Sequence, residues 1–79
     1  MEKIFLELKA MMGEVMPEIN LDGAGMDSEL RTDLGIESFK MILLAVSIED
    51  HFGIQLDESF TPKKISDVCQ YILDNSGKN

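Results

Sequence analysis

The order of apolar and polar positions along the chain predicts three amphipathic helices and one long irregular loop. In the first helix, apolar side chains recur at helical spacing from Ile4 to Met16, with charged residues between them. Pro17 disfavours helical φ/ψ at the residue before it, so this helix should end near Met16. Residues 17 to about 37 show no sustained period, and their scattered apolar residues indicate a loop that lies across the core.

A second helix is predicted from Ser38 to about Phe52, and apolar residues cover two of its faces. One stripe continues along the whole helix and consists of Met41, Leu44, Ala45, Ile48 and Phe52. The other, here named the partner stripe, consists of Phe39, Ile42, Leu43 and Val46 and runs on into Glu49 and Asp50. A helix this apolar is either packed on several sides or binds a partner. Because the partner stripe ends in acids, it is the candidate exposed face.

The remaining segment contains one turn and one further helix. Gly53 is a suitable end for the second helix. Residues Asp57 to Phe60 should form a short irregular turn, and Ser66 is a plausible cap for the last helix. The buried stripe of that helix should consist of Val68, Cys69, Ile72 and Leu73. The pattern predicts an all-α fold, a small antiparallel helical bundle with residues 1–79 as one domain.

Charge and composition limit the classes of partner and the kinds of site that this chain can have. Fifteen acids against seven bases give a net charge of −8, which argues against nucleic acid and anionic membranes as partners and favours basic protein surfaces. The single cysteine, Cys69, excludes an internal disulfide and a cysteine-rich metal site, and its place on an apolar stripe indicates a core residue. With no signal-peptide pattern and no apolar run near ~20 residues, the sequence predicts a cytoplasmic protein.

An enzyme active site is difficult to assemble from these residues. The only histidine, His51, lies 13 positions after Ser38. A helix rises ~1.5 Å per residue, so roughly 20 Å separate the two and His51 cannot act as the base for that serine. A zinc site needs several His or Cys ligands, which are lacking. We therefore predict a non-catalytic protein with no metal.

Ser38 stands at the junction between the polar loop and the apolar helix. One interpretation is an N-cap, whose hydroxyl oxygen accepts a bond from an N–H group of the first turn. Another is a phosphate-bearing residue, because the N–H groups and dipole of a helix start favour an anion. Gly35 just upstream can adopt positive φ. The local chemistry allows both interpretations.

The run from Asp33 to Phe39, followed by Glu49 to Ile54 a helix length later, resembles the acyl carrier protein family. That family's motif is Asp-Leu-Gly-x-Asp-Ser-Leu at the start of its second helix, followed by an acidic pair and Phe. The resemblance covers almost the whole chain and implies a four-helix bundle with one short irregular helix. It also implies that a separate transferase esterifies Ser38 with 4′-phosphopantetheine from coenzyme A. The flanking motif residues are Asp33, Leu34, Gly35 and Glu37.

The resemblance further implies a carrier of thioester-bound acyl groups in fatty-acid, polyketide or related biosynthesis. Its partners would be a phosphopantetheinyl transferase and acyl-transferring or condensing enzymes with basic and apolar docking patches. The partner stripe with Glu49 and Asp50 would be the surface they recognise. We expect a monomer.

Glu37 replaces the family's commoner Asp and adds a methylene, a change expected to affect acceptance by a given transferase. Two other departures from the family pattern favour a specialised pathway over a housekeeping fatty-acid carrier. Lys40 and Leu43 stand where fatty-acid carriers commonly have acids, and residues 22–25 resemble a small insertion. Two alternatives remain: a peptidyl or aminoacyl carrier, and an unmodified helical adaptor that binds through the partner stripe with Ser38 only as a cap.

Overall fold

A computed structural model describes residues 2–19, 21–57 and 59–76. They form three helices, α1 (Glu2–Val15), α2 (Ser38–Phe52) and α3 (Ile65–Ser76), and α1 packs against both others. The only strand-like pairing in these ranges is an isolated antiparallel bridge between Glu29 and Lys64. The prediction of an all-helical fold is therefore confirmed. Within the same ranges, no helix has the length and apolar character needed to cross a membrane.

The long loop between α1 and α2 forms part of the core, as predicted. Its buried residues are Met16, Ile19, Leu30, Leu34 and Ile36. Backbone bonds attach it to the start of α3: the Leu30 N–H donates to the Lys63 carbonyl at 2.9 Å, and the Ile65 N–H donates to the Ser28 carbonyl at 3.0 Å. Apolar anchors and backbone bonds together hold the loop across the bundle.

The predicted fourth, short helix is not confirmed in the part of the chain that is described. Near its expected place is a single turn, in which the Phe60 N–H donates to the Asp57 carbonyl at 2.9 Å. The Asp57 carboxylate also accepts the Ser59 N–H, a local bond that competes with helix formation. Pro62 then disfavours helical geometry at the residue before it. The Phe60 ring packs on Tyr71, with centroids 4.3 Å apart, and anchors the turn as expected.

The start of α3 is two residues earlier than a cap at Ser66 predicts. The helix begins at Ile65, so Ser66 is not its cap. The Asp67 carboxylate accepts the N–H groups of Lys63 and Lys64 at 2.9 and 3.0 Å, which lowers the pKa of Asp67. The buried stripe is confirmed except at Leu73, which is 41% exposed. Leu73 lies about 100° around the helix from Ile72, beyond the edge of the buried face.

Candidate functional site

Ser38 is the first residue of α2, and Glu37 occupies the cap position. Glu37 is extended (φ −78°, ψ 166°), and no side chain makes a capping hydrogen bond. The Glu37 carbonyl accepts the N–H groups of Lys40 and Met41 at 2.9 and 3.0 Å. The N-cap interpretation of Ser38 is therefore wrong: the non-helical residue at the junction is one position earlier. The Ser38 side chain is exposed and free of hydrogen bonds to the described residues.

The loop before Ser38 is fixed by two buried side chains on either side of a glycine. Leu34 and Ile36 are 2% and 1% exposed. Between them Gly35 has φ 76°, a left-handed conformation that other residues rarely adopt. A Cβ there would meet no atom within 4 Å, so the backbone conformation, not space, requires glycine. The Ile36 N–H donates to the Leu30 carbonyl at 3.0 Å.

Asp33, the acid that opens the motif, closes a turn within the loop. Its carboxylate accepts the Glu29 N–H at 2.7 Å, and its own N–H donates to the Glu29 carbonyl at 3.0 Å. The Thr32 hydroxyl donates to the Glu29 carboxylate at 3.0 Å. Asp33 thus shapes the approach to Ser38 by holding the loop.

The partner stripe is exposed along the first half of α2. The exposed fractions of Phe39, Ile42, Leu43 and Val46 are 65%, 69%, 44% and 55%. The alternative that this face packs within the bundle is therefore wrong, while its role in partner recognition stays a prediction. Asp50 is also exposed. Glu49 differs, because it is half-buried and its carboxylate accepts the Leu56 N–H at 2.9 Å, joining α2 to the segment after it.

Lys40 forms an ion pair that the sequence pattern does not reveal. Its Nζ lies 2.7 Å from a carboxylate oxygen of Glu18, and its side chain is only 20% exposed. The bond to Lys40 lowers the pKa of Glu18. Because Glu18 follows α1, the pair joins the first part of the long loop to the start of α2. The positive charge of Lys40 is therefore largely compensated within the molecule.

A cavity of about 490 Å³ opens beside Ser38, between α2 and the segment before α3. Most of its lining is apolar, which suits an apolar ligand with a few polar groups at defined places. The lining comprises Met41, Leu44, Ala45, Ile48, Leu56, Phe60 and Pro62, with Arg31, Ser38, Glu49, Asp57 and Thr61 as the polar members. The apolar periodicity of α2 predicted these helix positions as core, and only the folded arrangement shows that some of them face a cavity.

Cys69 and His51 lie outside this cavity lining. Cys69 is fully buried, as predicted for a core residue, and its burial raises the pKa of the thiol. His51 is exposed near the end of α2, with its ring 4.8 Å from the Phe52 ring. The cavity beside Ser38 therefore offers neither an imidazole nor a thiol.

Comparison with known proteins gives a consistent result. The family described as "Phosphopantetheine attachment site" matches residues 7–72. The acyl carrier protein of Campylobacter hominis is 33% identical, with 98% of each chain covered. That of Campylobacter jejuni (strain RM1221) is 36% identical over 86% of this chain and 90% of the relative. That of Helicobacter pylori (strain G27) is 29% identical over 91% and 94%.

Proposed function

We propose, from the premise that this chain belongs to the acyl carrier protein family and bears a covalent 4′-phosphopantetheine, that Ser38 is the attachment residue. The exposed hydroxyl of Ser38, which makes no hydrogen bond to a described residue, carries the proposal. The start of α2 favours the negative charge of a phosphodiester, and the loop residues Leu34 and Gly35 hold that start in place. In the attachment step, the Ser38 oxygen gives up its proton to the transferase or solvent and forms a bond to the phosphorus that bears pantetheine. The P–O bond of the coenzyme A diphosphate breaks, and adenosine 3′,5′-bisphosphate leaves.

The test is the mass of the intact protein after incubation with coenzyme A and a broad-specificity phosphopantetheinyl transferase. We expect a gain of one 4′-phosphopantetheine per chain, located by fragmentation on the peptide that contains Ser38. No gain with several such transferases would overturn the proposal and favour the unmodified adaptor.

We infer that the protein carries acyl groups and does no chemistry itself. When attached, the arm supplies a thiol that holds an acyl group as a thioester for transfer by partner enzymes. Tethering raises the effective concentration of the group to about mM when the arm spans the gap to the partner site. The apolar lining of the cavity beside Ser38 favours acyl cargo over the peptidyl or aminoacyl alternative.

The biosynthetic pathway is also part of the proposal. Fatty-acid, polyketide and related pathways all use such a carrier, and two features of α2 favour a specialised one. Lys40 and Leu43 both stand where fatty-acid carriers commonly have acids. Lys40 forms an ion pair with Glu18, and Leu43 adds an exposed apolar side chain. The cytoplasmic location and the monomeric state stay predictions.

We propose that partners dock on the partner stripe, and Leu43→Glu tests this. Leu43 is 44% exposed, so the change should leave the melting temperature nearly unaltered. Placing a charge in an apolar docking surface should lower kcat/KM about tenfold for at least one partner, such as the transferase or an acyl-loading enzyme.

Leu73→Glu is the matched control, because Leu73 is similarly exposed at 41% but lies on α3. It should keep kcat/KM within about twofold of the wild type. Equal turnover by every partner tested with Leu43→Glu would count against docking on this face.

A further inference from the structure

Arg31 lies beside the cavity that also borders Ser38. The residue before it is held by two backbone hydrogen bonds, because the N–H of Leu30 donates to the Lys63 carbonyl and the carbonyl of Leu30 accepts the Ile36 N–H. Leu30 itself is fully buried. The position of the Arg31 backbone is therefore set by the fold, while the residue is exposed and lines the cavity.

Arg31 is the only cationic residue among the described residues that line this cavity. Two acids also line the cavity, and each accepts a backbone N–H: Glu49 from Leu56 and Asp57 from Ser59. In the described ranges Arg31 makes no ion pair with any of them.

Like the described lysines other than Lys40, Arg31 makes no ion pair in these ranges, so its place at the cavity beside Ser38 is what distinguishes it. Lys40, only two residues beyond Ser38, is compensated by Glu18 at 2.7 Å. Arg31 thus presents a positive charge that is in no ion pair with a described residue, at the cavity next to the exposed Ser38 hydroxyl. Guanidinium groups match the geometry of phosphate oxygens with two parallel N–H donors, and they retain their charge at any physiological pH.

We infer that Arg31 is a positioning residue for the arm: its guanidinium pairs with the phosphodiester on Ser38 and directs the start of the arm into the cavity. The inference rests on the proposed attachment at Ser38. The pairing offsets the added negative charge in an already acidic protein. It also favours an arm that lies along the apolar lining over one that extends into solvent.

The experiment compares unmodified and modified forms of the wild type, Arg31→Gln, Arg31→Lys and Lys63→Gln, each checked by intact mass. Lys63 is the matched control, since it borders a second cavity with Arg31 but not the one beside Ser38. The melting temperature and the ³¹P resonance of the phosphodiester are measured for each modified form.

Modification should raise the melting temperature of the wild type by roughly 2–6 °C more than that of Arg31→Gln, the size expected for one exposed ion pair in a domain of this length. On modification, the melting temperature of Lys63→Gln should rise as much as that of the wild type. That of Arg31→Lys should rise by an amount between those of the wild type and Arg31→Gln. The ³¹P resonance should move only in the Arg31 variants. The difference should shrink in 1 M salt.

Equal shifts in the wild type and Arg31→Gln, with an unchanged ³¹P resonance, would overturn the role of Arg31 and leave the attachment at Ser38 intact. The role of Arg31 would also be overturned if Arg31→Gln and Lys63→Gln reduced the rise in melting temperature on modification by the same amount. Net charge alone would then explain both reductions. Failure of the wild type to gain mass would instead remove the proposed function itself.

Discussion

Replacing Ser38 by alanine is expected to abolish the gain of 4′-phosphopantetheine completely while leaving the free energy of unfolding within about 0.5 kcal/mol of the wild type. The first effect follows from the proposal that the hydroxyl oxygen of Ser38 is the atom esterified. The second follows because Ser38 is already the first residue of α2 and makes no capping bond. A true N-cap serine would cost about 1 kcal/mol when changed to alanine.

Intact mass and urea denaturation measure the two effects on one protein sample. Ser47→Ala is a suitable control, because Ser47 lies on the same helix and away from its start. That variant should gain mass as the wild type does. A mass gain in Ser38→Ala would assign the arm to another residue, and a stability loss above about 1 kcal/mol would restore a capping role for Ser38.

Leu30→Ala is expected to lower the free energy of unfolding by about 3–5 kcal/mol. Leu30 is fully buried although it lies in the loop and not in a helix. Its truncation removes apolar contacts and leaves a cavity beneath the segment that positions Arg31 and Ser38. A domain of 79 residues is stable by only about 4–12 kcal/mol, so the change should remove a large part of its stability.

Thermal and urea denaturation followed by far-UV circular dichroism measure this loss. Leu6→Ala removes the same atoms at a position on α1 that is 57% exposed, and it should change stability by less than about 0.5 kcal/mol. A loss below about 1 kcal/mol for Leu30→Ala would mean that the loop lies on the core without contributing to it.

The three helices could be predicted because each repeats its apolar residues with the helical period. The motif led to the prediction that Ser38 is the attachment residue. The acids that end the partner stripe led to the prediction that this stripe is exposed. The cap could not be assigned correctly, because the choice between Glu37 and Ser38 depends on the φ/ψ of one residue. The predicted fourth helix is not confirmed in the described residues for a similar reason: the Asp57 carboxylate accepts the Ser59 N–H, a local bond that competes with helix formation.

The sequence by itself determined the helices, the acidic character and the serine at the start of the second helix, since these depend on local periodicity, charge and motif. Only the tertiary structure decided that Lys40 pairs with Glu18, that Glu49 binds the backbone of Leu56, and that Arg31 borders the cavity beside Ser38. These relations join residues that are 7 to 22 positions apart, as the pairs Glu49–Leu56 and Glu18–Lys40 show. No local sequence pattern predicts these contacts, because the residues are brought together by packing of the buried loop against the helices.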